Sequence, residues 1–216
     1  MSSRMLTNFL KFPLLLFLLS GWSVTTTAQE LTFGATVVAG VTAAQLDGDL
    51  SAGYNKVGLT AGLRGTIELS ERWTLAMEII FAQRGSRYPT GINNPNPGFP
   101  LNITTSYIDV PVVVSISDWL SADETYYRIH LRGGLAYGRL FNAVARDSPY
   151  DASTDLFSDN DLNFLLGVAY NINRKIAVAF RYNRSLTLLF DNNRQAGLNA
   201  NSLLSHFLTM RVEYQF

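Results

Sequence analysis

The sequence predicts an all-β fold: an eight-stranded antiparallel up-and-down β-barrel that crosses a membrane with its strands. Three observations lead to it. Stretches of about ten residues alternate large aliphatic or aromatic side chains with small, polar or charged ones, so the two kinds fall on opposite faces of an extended strand. The connections between these stretches alternate short and long along the chain. Past the N-terminal segment no apolar run is long enough for a membrane helix, so only strands are available to cross a bilayer.

The N-terminal segment reads as an address. Arg4 and Lys11 precede an apolar core over residues 12–19; Gly21, Trp22 and a small polar run over 23–28 follow, with Thr26 and Ala28 placed for a signal peptidase cutting before Gln29. Residues 1–28 are expected to be a removed signal peptide, because the apolar run is too short to span, and residues 29–216 to be a single barrel domain. The chain has no cysteine, so neither a thiol-linked lipid anchor nor a disulfide framework is available to it. Its formal net charge of zero supplies no electrostatic footprint for nucleic acid, and none is expected as a partner.

The strands follow in order. Residues 31–42 set Leu31, Phe33, Ala35, Val37, Ala39 and Val41 against Thr32, Gly34, Thr36, Gly40 and Thr42. A Gly/Asp-rich loop over 46–55 leads to residues 57–69, where Val57, Leu59, Ala61, Leu63, Ile67 and Leu69 oppose Thr60, Arg64, Thr66 and Glu68. Ser70, Glu71 and Arg72 make a tight turn. The third strand carries Trp73, Leu75, Met77, Ile79 and Phe81 opposite Thr74, Ala76, Glu78, Ala82 and Arg84. Residues 88–103 hold Pro89, Pro95, Pro97 and Pro100 and are expected to be a long loop. In the fourth strand, 105–116, Ile108, Val110, Val112, Val114 and Ile116 oppose Tyr107, Asp109, Pro111 and Ser115, although Pro111 cannot donate to a ladder.

After a polar turn over 118–125, the fifth strand sets Tyr127, Ile129, Leu131, Leu135 and Tyr137 against Arg128, His130, Arg132, Gly134 and Ala136. Residues 142–160 read as loop. The sixth sets Leu162, Phe164, Leu166, Val168 and Tyr170 against Asn163, Gly167, Ala169 and Asn171; Asn173 and Arg174 turn the chain. The seventh sets Ile176, Val178, Phe180 and Tyr182 against Ala177, Ala179, Arg181 and Asn183, and an Asn-rich loop over 191–202 follows. In the last, 203–216, Leu208, Met210, Val212, Tyr214 and Phe216 share one face, with Thr209, Arg211, Glu213 and Gln215 on the other. Even strand number and alternating short and long connections put both termini with the short turns, on the periplasmic side of an outer membrane. A soluble lipocalin-like barrel would need its apolar face inside, whereas here the small, polar face suits a narrow interior.

The terminal Phe216, preceded by Tyr214 and alternating apolar residues, resembles the C-terminal signal by which outer-membrane barrels are recognised by the barrel-assembly machinery. The run Tyr107-Ile108-Asp109-Val110-Pro111-Val112-Val113, preceded by the Pro-rich loop and followed by Gly133-Gly134 through Tyr137-Gly138, resembles the PorT-like outer-membrane β-barrel family of the Bacteroidota, as does the Arg181-Tyr182 pair. The resemblance covers essentially all of residues 29–216, but only the Pro111 motif is specific. It implies a fold and a place in the outer membrane. The family includes a member needed for type IX protein secretion, which makes an envelope or secretion-complex protein an expected partner, beside outer-membrane lipid.

Inward-facing acids Glu68, Glu78, Asp109 and Glu213 share the polar face with Arg64, Arg84, Arg128, Arg132, Arg181 and Arg211. Eight strands leave room inside for little besides side chains, so Arg64, Glu78, Asp109, Arg132, Arg181, Arg211 and Glu213 are expected to form a structural ion-pair network that plugs the barrel. The competing reading is a proton or ion path. His130 and His206 are the two histidines; His206 adjoins Ser205, but strand neighbours point to opposite faces, and no nucleophile, base and orienting group line up for a hydrolase. Asp147, Asp151, Asp155, Asp159 and Asp161, with Asn160, make the loop after the fifth strand acidic, at a spacing unlike an EF-hand. Tyr126, Tyr127, Tyr137, Tyr170, Tyr182, Tyr214, Trp73 and Trp119 cluster toward strand ends, as an interfacial girdle requires. No catalytic residue, cofactor or metal is expected. The reading is a non-enzymatic outer-membrane barrel whose loops or turns engage a partner, with a small transport or pore protein as the alternative.

Overall fold

The computed structural model describes residues 32–47, 53–87, 102–123, 125–146, 158–189 and 204–216. Eight strands run in chain order: β1 (Phe33–Asp47), β2 (Lys56–Glu68), β3 (Trp73–Arg87), β4 (Asn102–Leu120), β5 (Tyr127–Arg146), β6 (Asn160–Asn171), β7 (Ile176–Ser185) and β8 (Leu204–Gln215). Each pairs antiparallel with its sequence neighbour, and β8 returns to β1, closing the barrel. Closure leaves no edge strand, so every backbone group within the ring can bond to a neighbour where no water is present. Residues 1–28, read as a signal peptide, residues 88–101 and 191–202, read as loop, and the acidic Asp147, Asp151 and Asp155 lie outside the described residues.

Parity decides which face each side chain takes. Leu59, Leu63, Met77, Ile79, Leu131, Leu135, Leu166, Phe180, Met210 and Val212 are exposed on the outer wall, whereas Thr42, Glu78, Asp161 and Asn163 are completely buried inside. A large apolar exterior around a polar interior inverts the arrangement of a soluble barrel and matches a wall facing hydrocarbon. Trp73, Trp119, Tyr170, Tyr214 and Phe216 are exposed at the end that carries the short turns. Small apolar clusters, Val38 with Ile80 and Ala82, and Ala76 with Val113, Ala136 and Leu165, fill the gaps between the inner charges.

Strand ends differ from the sequence reading at β1, which continues to Asp47 through residues 46–47 read as loop, and most of all between β4 and β5. β4 begins at Asn102 and β5 continues to Arg146, so residues 142–146, read as loop, are strand. Their sequence lacks the aliphatic alternation because they extend past the partner on the other side: β5 pairs with β6 only as far as Arg139↔Asn160, while it stays paired with β4 to Asn102↔Arg146. A bulge at Phe141, between Ser106↔Asn142 and Tyr107↔Leu140, marks where this extension departs from the regular ladder. Pro111 sits where expected and interrupts the ladder to β3: pairing occurs at Met77↔Val112 and at Ile80↔Asp109 but not between them, because Pro111 has no N–H to donate.

Candidate functional site: the lumen and its vestibule

Two tiers of ion pairs cross the lumen. In the tier nearer the short turns, Arg64 and Glu78 are direct cross-strand partners, bonded Nε to Oε1 at 2.8 Å. The two terminal nitrogens of Arg64 donate to Glu213 of β8 at 2.6 and 2.8 Å. Glu213 also accepts from Arg132 Nη1 at 2.8 and 2.9 Å and from Arg211 Nη2 at 2.9 Å. Arg181 donates to both oxygens of Glu78 at 2.9 and 2.8 Å, and Arg211 adds a longer bond at 3.3 Å. Two carboxylates thereby tie together β2, β3, β5, β7 and β8. Small residues directly across the ladder leave room for the guanidiniums: Gly167 stands between Arg132 and Arg181, and Gly40 and Ala179 flank Arg211.

The second tier lies toward the long loops. Arg84 donates to Asp161 Oδ2 at 2.7 Å and, through Nη2, to Asp109, while its guanidinium lies 4.5 Å from the Tyr107 ring centre and 4.1 Å from that of Phe207. Gly138 pairs with Asp109 on one side and Asp161 on the other. A Cβ there would stand 2.5 Å from Asp109 Oδ1 and would push that carboxylate from its place, so the glycine leaves the space in which the two carboxylates converge on one arginine. Asn163 supports Asp161 from 3.3 Å, and Asn183 in turn donates to Asn163 at 3.0 Å.

Against the sequence reading, this arrangement makes four corrections. Asp109 does not join Arg132, Arg181 and Arg211; it pairs with Arg84, which parity had placed inside but which the expected network omitted. Asp161 is no loop acid: it is the second residue of β6, shares the inward parity of Asn163 and Gly167, and is wholly buried on Arg84. That parity was the signal that could have found it. Asp159 instead bonds Arg139 at the surface, 2.9 Å away, so the two described acids of the loop serve different pairs. Glu68 is exposed at the mouth, and Arg128 donates to the Tyr170 hydroxyl at 3.2 Å rather than entering the network.

The short-turn end opens into a vestibule of about 570 Å³ lined by Arg64, Arg132, Glu213, His130, Asn171 and the hydroxyls of Thr36, Thr66, Thr74 and Ser115, among others. Between the tiers the free space shrinks to about 20 Å³, bounded by Asp109, Arg181, Asn183, Thr209 and Arg211. His130 lies between Ser117, 2.8 Å from its Nδ1, and Asn171, 2.9 Å from its Nε2. That triad of residue types suggests hydrolysis, but the proton positions oppose it. Asn171 Nδ2 also donates to the Tyr127 carbonyl at 2.9 Å, so the nitrogen facing Nε2 is a donor and Nε2 must accept. The ring proton then sits on Nδ1 and points at Ser117, whose hydroxyl is not deprotonated by such a partner. His206 bonds Asp47 at 3.3 Å at the opposite end, with Tyr54 edge-on at 5.2 Å, and Ser205 is buried on the other face of the strand.

The sequence matches the family model described as outer membrane protein beta-barrel domain over residues 27–191, well over half of the chain. The chain belongs to this family. Among curated proteins, none matches it. The backbone of this outer-membrane barrel is similar to that of Ail, the attachment invasion locus protein of Yersinia pestis, at 12% identity and a TM-score of 0.48, over 85% of this chain and 98% of that one. It is similar also to Neisserial surface protein A, at 12% identity and a TM-score of 0.47, over 87% of this chain and 100% of that one. The N-terminal β-barrel domain of Pseudomonas aeruginosa OprF gives 9% identity and a TM-score of 0.40, over 85% and 99%. For an outer-membrane barrel the exposed aliphatic wall is the lipid contact, and the two tiers are charges held at membrane depth, where an unpaired ion is costly.

Proposed function

We propose that this is a PorT-like, non-enzymatic outer-membrane protein whose loops or turns engage an envelope, secretion or surface partner, with both termini and the short turns in the periplasm. The observation that carries the reading is the lumen itself. Two ion-pair tiers cross it, and the space between them is the size of a single water, which favours a rigid scaffold over a conduit. The β4 and β5 extension, reaching beyond β6 on the long-loop side, supports a role for that end in docking. The tautomer held at His130 speaks against the Ser117 hydroxyl as a nucleophile.

Single-channel recording in planar bilayers tests the closed lumen: the expected trace is flat, and steady unitary conductance would favour the transport alternative. Orientation is tested on intact cells with an impermeant maleimide, since the chain has no cysteine of its own. Cysteine introduced at Gly53 should label and cysteine at Ala122 should not; the reverse pattern overturns the assignment. Photo-crosslinking from Phe141 in living cells should give a discrete adduct with another envelope protein, and adducts with lipid alone would count against partner docking.

A further inference from the structure

We infer that the inner end of the vestibule is a binding site for a small oxyanion, a carboxylate or phosphate group held on the free edge of Arg132. Its side chain is more than nine-tenths buried, at 9% exposure, yet only Nη1 is engaged, on Glu213. Among the described residues Nε and Nη2 have no protein partner, and Arg132 lines the vestibule. Those two nitrogens share one edge of the planar guanidinium, the spacing that grips two oxygens of one carboxylate or phosphate.

Charge points the same way. Among the described residues, Arg64, Arg84, Arg132, Arg181 and Arg211 face Glu78, Asp109, Asp161 and Glu213 inside the barrel, which leaves one positive charge in excess. Arg64 has all three nitrogens on carboxylates, and Arg84, Arg181 and Arg211 lie deeper, so the excess meets open space at Arg132. Around it stand hydroxyls, from Thr36, Thr66, Thr74 and Ser115, which donate to an anion at no electrostatic cost. Of the acids lining the chamber, Glu213 is already held by Arg64, Arg132 and Arg211, and Glu68 and Glu71 sit at the turns, where Arg174 and Lys175 offset them. A volume of about 570 Å³ exceeds that of the bare ion and leaves room for the organic group carrying it.

The test uses the full mature chain folded in micelles, titrated separately with inorganic phosphate and with acetate, ionic strength being held constant with sodium chloride. His130 lines the same chamber and His206 lies at the other end, so their two imidazole NMR signals serve as reporter and reference. The expected result is a saturable shift at His130 with none at His206, and the tighter of the two salts identifies the preferred oxyanion. Arg132→Lys keeps a charge beside Glu213 but loses the fork, and should weaken binding about tenfold or more. Arg132→Met should abolish it, with gel mobility confirming a folded barrel; should that variant not fold, the lysine variant decides. A non-saturating response, a response equal with chloride, or undiminished binding by Arg132→Lys would overturn the assignment.

Discussion

Replacing Glu78 with glutamine keeps the shape of the side chain and removes its charge, which isolates the electrostatic share of the inner tier. Glu78 is completely buried and accepts from Arg64, Arg181 and Arg211. In the variant an amide N–H must face at least one guanidinium N–H, and Arg181 loses its sole carboxylate partner, whereas Arg64 and Arg211 keep Glu213. Breaking a buried pair by removing one partner commonly costs about 3–5 kcal/mol, against at most about 1 kcal/mol for a solvated pair. With three arginines converging on one carboxylate, Glu78→Gln should fall in the upper part of that range. Adding Arg181→Met removes the stranded charge and should recover part of the loss, a coupling that independent sites would not show. Urea unfolding in micelles, read from the gel mobilities of folded and unfolded barrel, measures both variants. A loss below about 1 kcal/mol, with altered conductance, would refute the reasoning, because charges lining a water-filled pore are already solvated.

Three further outcomes are expected. Deleting Phe216, which is exposed at the barrel end beside Tyr214 and whose N–H donates to the Ala35 carbonyl at 3.0 Å, should lower membrane levels in living cells with little change in the urea midpoint of protein that does assemble; normal levels would count against an assembly signal. Intact mass of the purified protein should correspond to a chain starting at Gln29, and peptides upstream of Thr26 would rule out the proposed cleavage. Asp109 Oδ1, Asn183 Oδ1, Arg181 Nε and Arg211 Nε are buried without a protein partner around the void of about 20 Å³, and two acceptors with two donors match the bonding of one water. A high-resolution diffraction map should show it there, and a map empty at that point would refute the match.

How much of this was legible depends on what a single strand can encode. Parity alone sorted the lipid-facing residues from the lumenal ones, because the side-chain period of two is a local property of the chain. It failed where a strand outruns one of its partners, as over residues 142–146, which stay paired with β4 but have passed the end of β6. Asp161 was missed for a different reason: it is inward by parity, but it stands at the start of β6 in a run of acids whose composition reads as a solvated loop, as Asp159 in fact is. Arg128, near the start of β5, follows the local geometry of the mouth rather than the face.

Parity gives a face but not a height, and the partners of the lumenal charges are decided by height. Across a short turn the two are linked: folding the chain about Glu71 places Arg64 directly opposite Glu78, so that pair follows from the sequence once the turn is recognised. Across a long loop they are not. The register of β3 on β4 puts Ile80, not Arg84, opposite Asp109, and the arginine reaches its two aspartates diagonally over the gap that Gly138 leaves. Glu213 meets Arg64 only because β8 closes on β1, with Val38↔Glu213 and Thr36↔Arg64 setting their levels, and closure is a property of the whole ring's stagger rather than of any one strand. The free edge of Arg132 is a product of the same closure: the strand supplies an inward arginine, but the ring determines that Glu213 takes only Nη1 and that the remaining nitrogens face the vestibule. A functional site made of such residues therefore emerges from stagger, which explains why a sequence that declares its wall so clearly is silent about its interior chemistry.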